Sequence, residues 1–392
     1  MRQVYLDYNS TTQMDERVLD AMKPYFCGIY GNASSVHHFG RDAKTALEET
    51  REKVAALIGA QASEIYFTSG GTESDNIAVK GSAHIKKAKR DHIITSAIEH
   101  HAVLEAVNFL GKEGYKTDIL GVDKYGTVSP DELREKITDK TSLVSIMLAN
   151  NEVGTIQDIK TMAAIAKEKG TVFHTDAVQA IGKMKVDVRD LGVDMLAMSA
   201  HKFYGPNGVG VLYIRKGHRL TPLSHGGHHE KGRRPGTEDV ASAVGLGRAL
   251  ELAVENQESE HKRLKGLADY FIDAVQENVP STYLNGPHDD RRVPSTVNIS
   301  FEYIEGESII LSLDMKGIGV ASGSACTSGS LDPSHVLTAM GVPVELAQGS
   351  IRFSMGRYTT REDLEYTVDC LPEIIERLRA MSPLYSEKQK AK

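Results

Sequence analysis

The sequence DMLAMSAHKFYGPNGVGVLYI, residues 194–214, gives the clearest indication of the fold. Two apolar runs of strand length, 194–200 and 209–214, flank a glycine-rich turn that begins with Lys202. Lysine is almost never fully buried without a partner, so packing alone does not explain a lysine directly after a buried strand. In a partly desolvated pocket its amine would become a nucleophile able to form a Schiff base. The alternative for the lysine alone is a surface position on a turn.

Similar apolar runs recur along the chain and alternate with helical patterns. The stretch 161–170 is helical and ends in glycine after lysines, and 238–276 is long and helical. Alternating strands and helices predict an α/β fold with a mostly parallel sheet and helices on its faces. The other runs of strand length are IYFTS (65–69), HIITSA (92–97), LVSIMLA (143–149), VFHTDA (172–177) and TVNISF (296–301).

The length of 392 residues predicts more than one ordinary core. We place a domain boundary near residue 255, where the alternating pattern gives way to long helices and then short strands. The large, mostly parallel-sheet domain then spans 16–255, and the smaller α+β domain combines 1–15 with 256–392. The tail SEKQKAK (386–392) is predicted to be disordered.

Composition and charge argue against several classes of protein. A net charge of −7 without a basic block argues against nucleic acid as a partner. No apolar run approaches the length of a membrane span, and the N-terminus lacks the apolar region of a signal peptide. Three cysteines without paired or metal-type spacing indicate a reduced compartment. We therefore expect a soluble, cytoplasmic protein with no membrane partner.

Two further motifs are candidate ligand contacts. In TSGGTESDN (68–76) a strand ends in two glycines and Thr72 opens a helix, an arrangement that suits a phosphate. The alternative is a simple turn in which Thr72 caps the helix. In HTDAVQAIG (174–182) Asp176 stands at the carboxyl end of a strand, where ligands bind in open α/β sheets. Here too the alternative is a helix cap.

Cys326 lies in ASGSACTSGS (321–330), a tract of small residues that offers it no packing partners. It is either a functional thiol on a mobile loop, about 321–332, or a chance free cysteine. Asp332 or Ser330 is predicted to cap the next helix, with Pro333 at its first position. Cys27 and Cys370 stand beside apolar residues and are expected to be core side chains.

The histidine cluster HGGHH (225–229) is the one sequence feature that suggests a metal. No cysteine or acid completes a tetrahedral set at a recognisable spacing, so no metal site is predicted.

The order of these motifs is more specific than any one of them. The series resembles the pyridoxal-phosphate-dependent cysteine desulfurases of the NifS/IscS type, in the class V aminotransferase family, from residue 4 to about 380. The resemblance implies a PLP fold-type I architecture, similar to aspartate aminotransferase. The motifs that carry it are LDYNSTT (6–12), GNASSVHHFG (31–40), TSGGTESDN, EHHAVLE (99–105), ANNEVGTIQD (149–158), HTDAVQ, SAHKFYGPNGVG (199–210), HGGHHEKGRRPGTED (225–239), SGSACTSGSLDPSHVL (322–337) and IRFSMGRYTT (351–360).

The resemblance implies roles for residues around a bound pyridoxal 5'-phosphate. Lys202 would hold the cofactor as a Schiff base and later move the Cα proton of the substrate. Asp176 would pair with the pyridinium nitrogen, and His100 would stack on the ring and assist proton transfers. A threonine from the partner subunit completes the site in this family and is matched by Thr237, which implies a homodimer. The other implied cofactor contacts are Gln179 to the ring hydroxyl, Asn151, and Gly71, Thr72, Ser199 and His201 to the phosphate.

The resemblance also implies the substrate and the product. Arg352 would grip the carboxylate of L-cysteine with help from Asn151, and Asn32 is a further substrate contact. Cys326 would take the sulfur as a persulfide and release L-alanine. The acceptor implied is an iron–sulfur scaffold protein of the IscU/NifU kind, which could bring a cluster near Cys326.

Three positions depart from the family pattern, one of them harmlessly (SGGTES, 69–74, for the commoner SGATES), and alternatives remain. Asn207 stands where a basic residue is common, and Pro235 where serine is usual, which weakens the contact expected of Thr237. A selenocysteine lyase and a class V aminotransferase are the alternative enzymes. A non-catalytic sulfur-assembly scaffold is less favoured.

Overall fold

The computed structural model describes residues 2–87, 89–322, 333–383 and 385. Twelve strands form three sheets within these residues. In chain order they are β1 (Val4–Tyr5), β2 (Ile65–Thr68), β3 (His92–Ser96), β4 (Lys116–Leu120), β5 (Thr141–Ser145), β6 (Val172–Asp176), β7 (Met195–Ser199), β8 (Gly210–Ile214), β9 (Thr282–Asn285), β10 (Thr296–Phe301), β11 (Ile318–Gly319) and β12 (Ser350–Ser354).

Fourteen α-helices connect and cover these strands in the part of the chain that is described. They are α1 (Glu16–Met22), α2 (Pro24–Cys27), α3 (His38–Leu57), α4 (Gly71–Lys86), α5 (His101–Lys112), α6 (Pro130–Lys136), α7 (Ile159–Glu168), α8 (Val188–Leu191), α9 (Val240–Glu255), α10 (Gln257–Asn278), α11 (Gly306–Asp314), α12 (His335–Ala339), α13 (Val344–Gln348) and α14 (Arg361–Met381).

The largest sheet has seven strands in the order β2-β8-β7-β6-β5-β3-β4. The strands from β7 to β4 are parallel, whereas β8 is antiparallel to both of its neighbours. Every residue of β3, β5, β6 and β7 is buried, as expected for strands covered by helices on both faces. The predicted α/β fold with a mostly parallel sheet is confirmed.

A three-stranded antiparallel sheet, β12-β10-β9, forms a second centre of packing. Its core includes Phe271 of α10 and Phe353 of β12, whose ring centroids lie 4.9 Å apart. The N-terminal strand β1 pairs in parallel with β11 and so joins this part of the molecule. Helices α9 and α10 are separated by Asn256. The domain boundary near residue 255 stays a prediction.

Two local predictions are wrong, and one edge strand was missed. Cys27 is exposed rather than in the core, since it ends the short surface helix α2, where Phe26 is exposed too. Ser334, and neither Asp332 nor Ser330, caps α12, so Pro333 precedes the cap. Strand β4 was not predicted because this edge strand is half exposed and reads KTDIL, without a continuous apolar run.

Several predictions fall on residues that are not described. Cys326 lies in 323–332 and the tail SEKQKAK is 386–392, both outside the described residues. The mobile loop and the disordered tail therefore stay predictions. Among the helices that are described, none is both long enough and apolar enough to span a membrane.

Candidate active site

A cavity of about 390 Å³ opens where the parallel strands end, next to the turn that carries Lys202. This is the edge of an open α/β sheet at which ligands bind. Ten of the residues predicted from the sequence line it: Gly71, Thr72, His100, Asn151, Asp176, Gln179, Ser199, His201, Lys202 and Arg352.

Two of the predicted residues that the structure describes, Asn32 and Thr237, are not among those that line the cavity. Asn32 is exposed, and its side-chain oxygen accepts a hydrogen bond from the N–H of Ser34 at 2.8 Å. Thr237 is exposed as well. Cys326 lies outside the described residues.

Lys202 is held by the N-terminal segment. Its Nζ atom donates hydrogen bonds to the main-chain oxygens of Asn9 at 2.6 Å and Ser10 at 2.8 Å. The residue follows β7 in a short 3₁₀ turn, after which Tyr204 adopts a positive φ of 68°. The turn thus directs the amine toward the cavity rather than to the surface.

The start of α4 forms one wall of the cavity. The helix begins at Gly71, and its N-cap is Gly70, with φ of 151° and no capping side chain. Thr72 is therefore not the cap. A Cβ atom on Gly71 would come within 2.8 Å of a Val178 methyl group, so a larger residue there would require Val178 to shift. The free N–H groups and the helix dipole face a site also lined by Ser199, which suits an anion such as phosphate.

A buried acid layer lies at the carboxyl end of β6. Asp176 accepts a hydrogen bond from the N–H of Val178 at 2.8 Å, and burial raises its pKa against the opposing effect of His100 and Lys202. Burial and the nearby charge of Asp176 raise the pKa of Asp75 well above its usual value. One oxygen of Asp75 has no hydrogen-bond partner among the described groups, although His174 lies 3.5 Å away. Two crowded carboxyls can accommodate a cationic N–H group.

A hydrogen bond from the main chain sets the tautomer of His100. Its Nδ1 atom accepts the N–H of Ala102 at 3.1 Å and caps α5. Burial lowers the pKa of His100. A neutral ring that accepts at Nδ1 carries its proton on Nε2. His100 is therefore arranged as a proton donor at Nε2.

Arg352 enters the cavity from β12 and is almost fully buried. One terminal nitrogen donates to the main-chain oxygen of Asn151 at 3.1 Å. The other donates to Asp7 at 2.8 Å and to the hydroxyl of Ser10 at 2.7 Å. Its Nε atom has no partner among the described groups. A carboxylate ligand would meet a guanidinium that is already oriented.

Sequence reasoning missed five residues that line the cavity: Asn9, Ser10, Asp75, Met147 and Val178. Asn9 and Ser10 belong to the quoted motif LDYNSTT and Asp75 to TSGGTESDN, so their motifs were found without their roles. Met147 and Val178 carry no chemical signal. Among the described residues, no group of three or more His, Cys, Asp or Glu side chains is arranged to hold a metal.

Comparison with known proteins gives one consistent result. The family model described as Aminotransferase class-V matches residues 4–367. The chain is 55% identical over 386 residues to the cysteine desulfurase IscS of Dictyoglomus turgidum, covering 98% of each. It is 52% identical over 381 residues to that of Methanosarcina thermophila, covering 97% of this chain and 94% of the relative. A solved structure named NifS-like protein superposes with a TM-score of 0.90 at 40% identity, covering 96% of this chain and 100% of that one.

Proposed function

The chain belongs to the class-V aminotransferase family, within its cysteine desulfurases, and we propose that it uses pyridoxal 5'-phosphate to move the sulfur of L-cysteine onto Cys326. The observation that carries this proposal is that ten residues matched by the family motifs line one cavity around Lys202. Ten residues from motifs spread along the chain thus lie together at one cavity.

The residues in the cavity fit pyridoxal phosphate. The uncapped start of α4, with Gly71, Thr72, Ser199 and His201 nearby, supports a place for the phosphate. The buried carboxyl groups of Asp176 and Asp75, which both line the cavity, support a protonated ring nitrogen. We assign the ring face to His100 and the ring hydroxyl to Gln179, as the family motifs imply.

When bound, the cofactor supplies an electron-withdrawing ring that makes the Cα proton of the substrate acidic. The Lys202 amine is held at the cavity and would attach the cofactor and carry that proton. Arg352 and Asn151 would bind the substrate carboxylate, since a buried guanidinium can make a bidentate contact with a carboxylate. His100 would return a proton from Nε2.

The sulfur step uses the thiolate of Cys326, which is the nucleophilic form of cysteine. The thiolate attacks the sulfur of the substrate, an S–S bond forms and the C–S bond breaks. The electron pair of the broken bond stays on the substrate carbon, which takes a proton and leaves as L-alanine. Cys326 then carries a persulfide, which we propose is delivered to a cytoplasmic iron–sulfur scaffold protein of the IscU/NifU kind.

We propose a homodimer in which Thr237 and Asn32 serve the partner subunit's site. Both residues are exposed, and their neighbours Ala33, Ser34 and Glu238 line one surface cavity of about 490 Å³. Close in sequence to Asn32, the exposed fractions of Phe26, Tyr30 and Val36 are 56%, 67% and 88%. An apolar surface of this kind is typical of an interface.

Substitution of Cys326 tests the proposed function. The variant Cys326→Ala should bind pyridoxal phosphate as the wild type does, but form L-alanine from L-cysteine at least about 100-fold more slowly because it lacks the nucleophile. Cys27→Ala, which removes an exposed thiol, is the matched control and should keep full activity. Full L-alanine formation by Cys326→Ala would refute the role given to this cysteine.

A further inference from the structure

Two lysine amines bind the two oxygen atoms of a single residue, Asn9. Lys202 donates to the main-chain oxygen of Asn9 at 2.6 Å, and Lys183 donates to its side-chain oxygen at 2.8 Å. Asn9 is only 2% exposed, and its amide nitrogen donates to Thr296 at 2.8 Å and to the main-chain oxygen of Asn151 at 3.1 Å. These bonds fix which end of the Asn9 side chain is the acceptor.

Gln179 is fixed in the same way. Its Nε2 atom donates to the main-chain oxygen of Asn9 at 2.9 Å, and its Oε1 atom accepts from Lys183 at 2.6 Å. A flip of the amide would place a donor against the lysine donor and an acceptor against a carbonyl oxygen. With the amide held in this orientation, the second N–H of Gln179, which lines the cavity, is left to donate to a ligand.

The amine of Lys183 can donate to both amide oxygens in either charge state. Burial, with the nearby charges of Lys202 and Arg352, lowers its pKa well below the usual value. It donates to two uncharged amide oxygens, on Asn9 and Gln179. A neutral amine has two N–H bonds, enough for both acceptors, and a protonated one has three.

We propose that Lys183 is a positioning residue that holds Gln179 with an N–H toward the cavity, so that the site selects a cofactor whose ring oxygen is ionised. The inference rests on the proposed function, which assigns Gln179 to the ring hydroxyl. An ionised ring oxygen only accepts hydrogen bonds and matches this N–H, whereas a protonated one competes as a donor.

The test compares the absorbance bands of protein loaded with pyridoxal phosphate, at one pH, for the wild type and Lys183→Met. The ionised ring oxygen gives the long-wavelength, yellow form, and the protonated one the short-wavelength form. Loss of one orienting hydrogen bond should raise the ratio of short- to long-wavelength form about five-fold in Lys183→Met. The control Lys185→Met changes an exposed lysine two residues further along the chain and should leave the ratio unchanged. Lys183→Arg should also keep the wild-type ratio, because the side chain borders a cavity of about 50 Å³ that leaves room for the larger guanidinium group.

An unchanged ratio in Lys183→Met, or an equal change in Lys185→Met, would overturn the assignment. If Lys183→Met does not fold, Gln179→Glu decides, because a carboxylate has no N–H to present and should favour the protonated ring oxygen. A Gln179→Glu protein with the wild-type ratio would contradict the inference. A wild-type protein that takes up no pyridoxal phosphate would instead refute the proposed function.

Discussion

The carboxyl group of Glu152 accepts a 2.5 Å hydrogen bond from the hydroxyl of Ser334. Ser334 caps α12 and lies just after the segment 323–332, whereas Glu152 follows Asn151, whose main-chain oxygen accepts from Arg352. His335, the residue after Ser334, makes a hydrogen bond through Nε2 to the main-chain oxygen of Glu99 at 2.9 Å. The chain that returns from Cys326 is thus anchored to the wall that would bind substrate.

Ser334→Ala should destabilise the protein and slow sulfur transfer. It removes both the cap of α12 and the hydrogen bond to a buried carboxyl, so the free energy of unfolding in urea should fall by about 1–3 kcal/mol. Loading of Cys326 with sulfur in a single turnover should slow while affinity for pyridoxal phosphate is kept. Ser129→Ala, which removes only the cap of α6, should cost about 1 kcal/mol and leave sulfur transfer unchanged. Equal effects of both variants on sulfur transfer would disprove the anchoring role.

Glu99 should make stability depend on pH. Burial raises its pKa to about 8, although hydrogen bonds from Ser96 and the Met147 N–H oppose the rise. The unfolded chain releases this proton near about pH 4.3, so the native state binds more protons between that pH and about 8. Stability from this group is therefore present at low pH, falls as pH rises through that window and is constant above it.

Glu99→Gln keeps the hydrogen-bond acceptor and removes the ionisation. The difference in free energy of unfolding between the variant and the wild type should shift in favour of the variant by on the order of 2–4 kcal/mol from about pH 4.3 to about pH 8. Urea unfolding without cofactor measures this difference. Glu135→Gln, at an exposed position, should follow the wild-type curve. Parallel curves for Glu99→Gln and the wild type would rule out a buried, titrating Glu99.

His100→Asn should separate the structural role of His100 from its chemical role. Asparagine is among the best N-cap residues and can accept the Ala102 N–H, so the melting temperature should be nearly unchanged. The variant lacks the Nε2 proton, and L-alanine formation should slow about 100-fold. His101→Asn removes a histidine that does not line the cavity and should react normally. Wild-type activity in His100→Asn would exclude the proton-donor role.

Arg352→Lys should weaken substrate binding. A lysine cannot reproduce the bidentate contact with the substrate carboxylate, so KM for L-cysteine should rise about 100-fold, with a smaller change in kcat. Arg357→Lys is a matched control: Arg357 also pairs with a carboxylate, Asp15, but is not among the residues that line the cavity of about 390 Å³ together with Arg352. It should lower stability and leave KM near the wild-type value. An unaltered KM in Arg352→Lys would mean that another group binds the carboxylate.

The fold was predictable where a local pattern reports burial. The runs at β2, β3, β6, β7 and β8 are apolar because both sheet faces are covered, whereas the half-exposed edge strand β4 has no such pattern. The order of the strands and the reversal of β8 depend on contacts between distant parts of the chain, which periodicity does not encode.

The site was predictable where a motif places a reactive residue at a strand end, as for Asp176 and Lys202. The contacts of Asn9 with Lys183 and Lys202 join residues more than 170 positions apart, and no spacing rule reveals them. Lys183 reads as an ordinary lysine after a glycine, and only the fold buries its amine between two amides.

The most direct test of the account is to incubate the protein with L-cysteine, digest it without reductant and weigh the cysteine peptides by mass spectrometry. One added sulfur atom, removable by a thiol reductant, is expected on the Cys326 peptide, and none on the peptides of the exposed Cys27 or the half-buried Cys370. L-alanine formation with an unmodified Cys326 peptide, or with the added sulfur on Cys27, would contradict it.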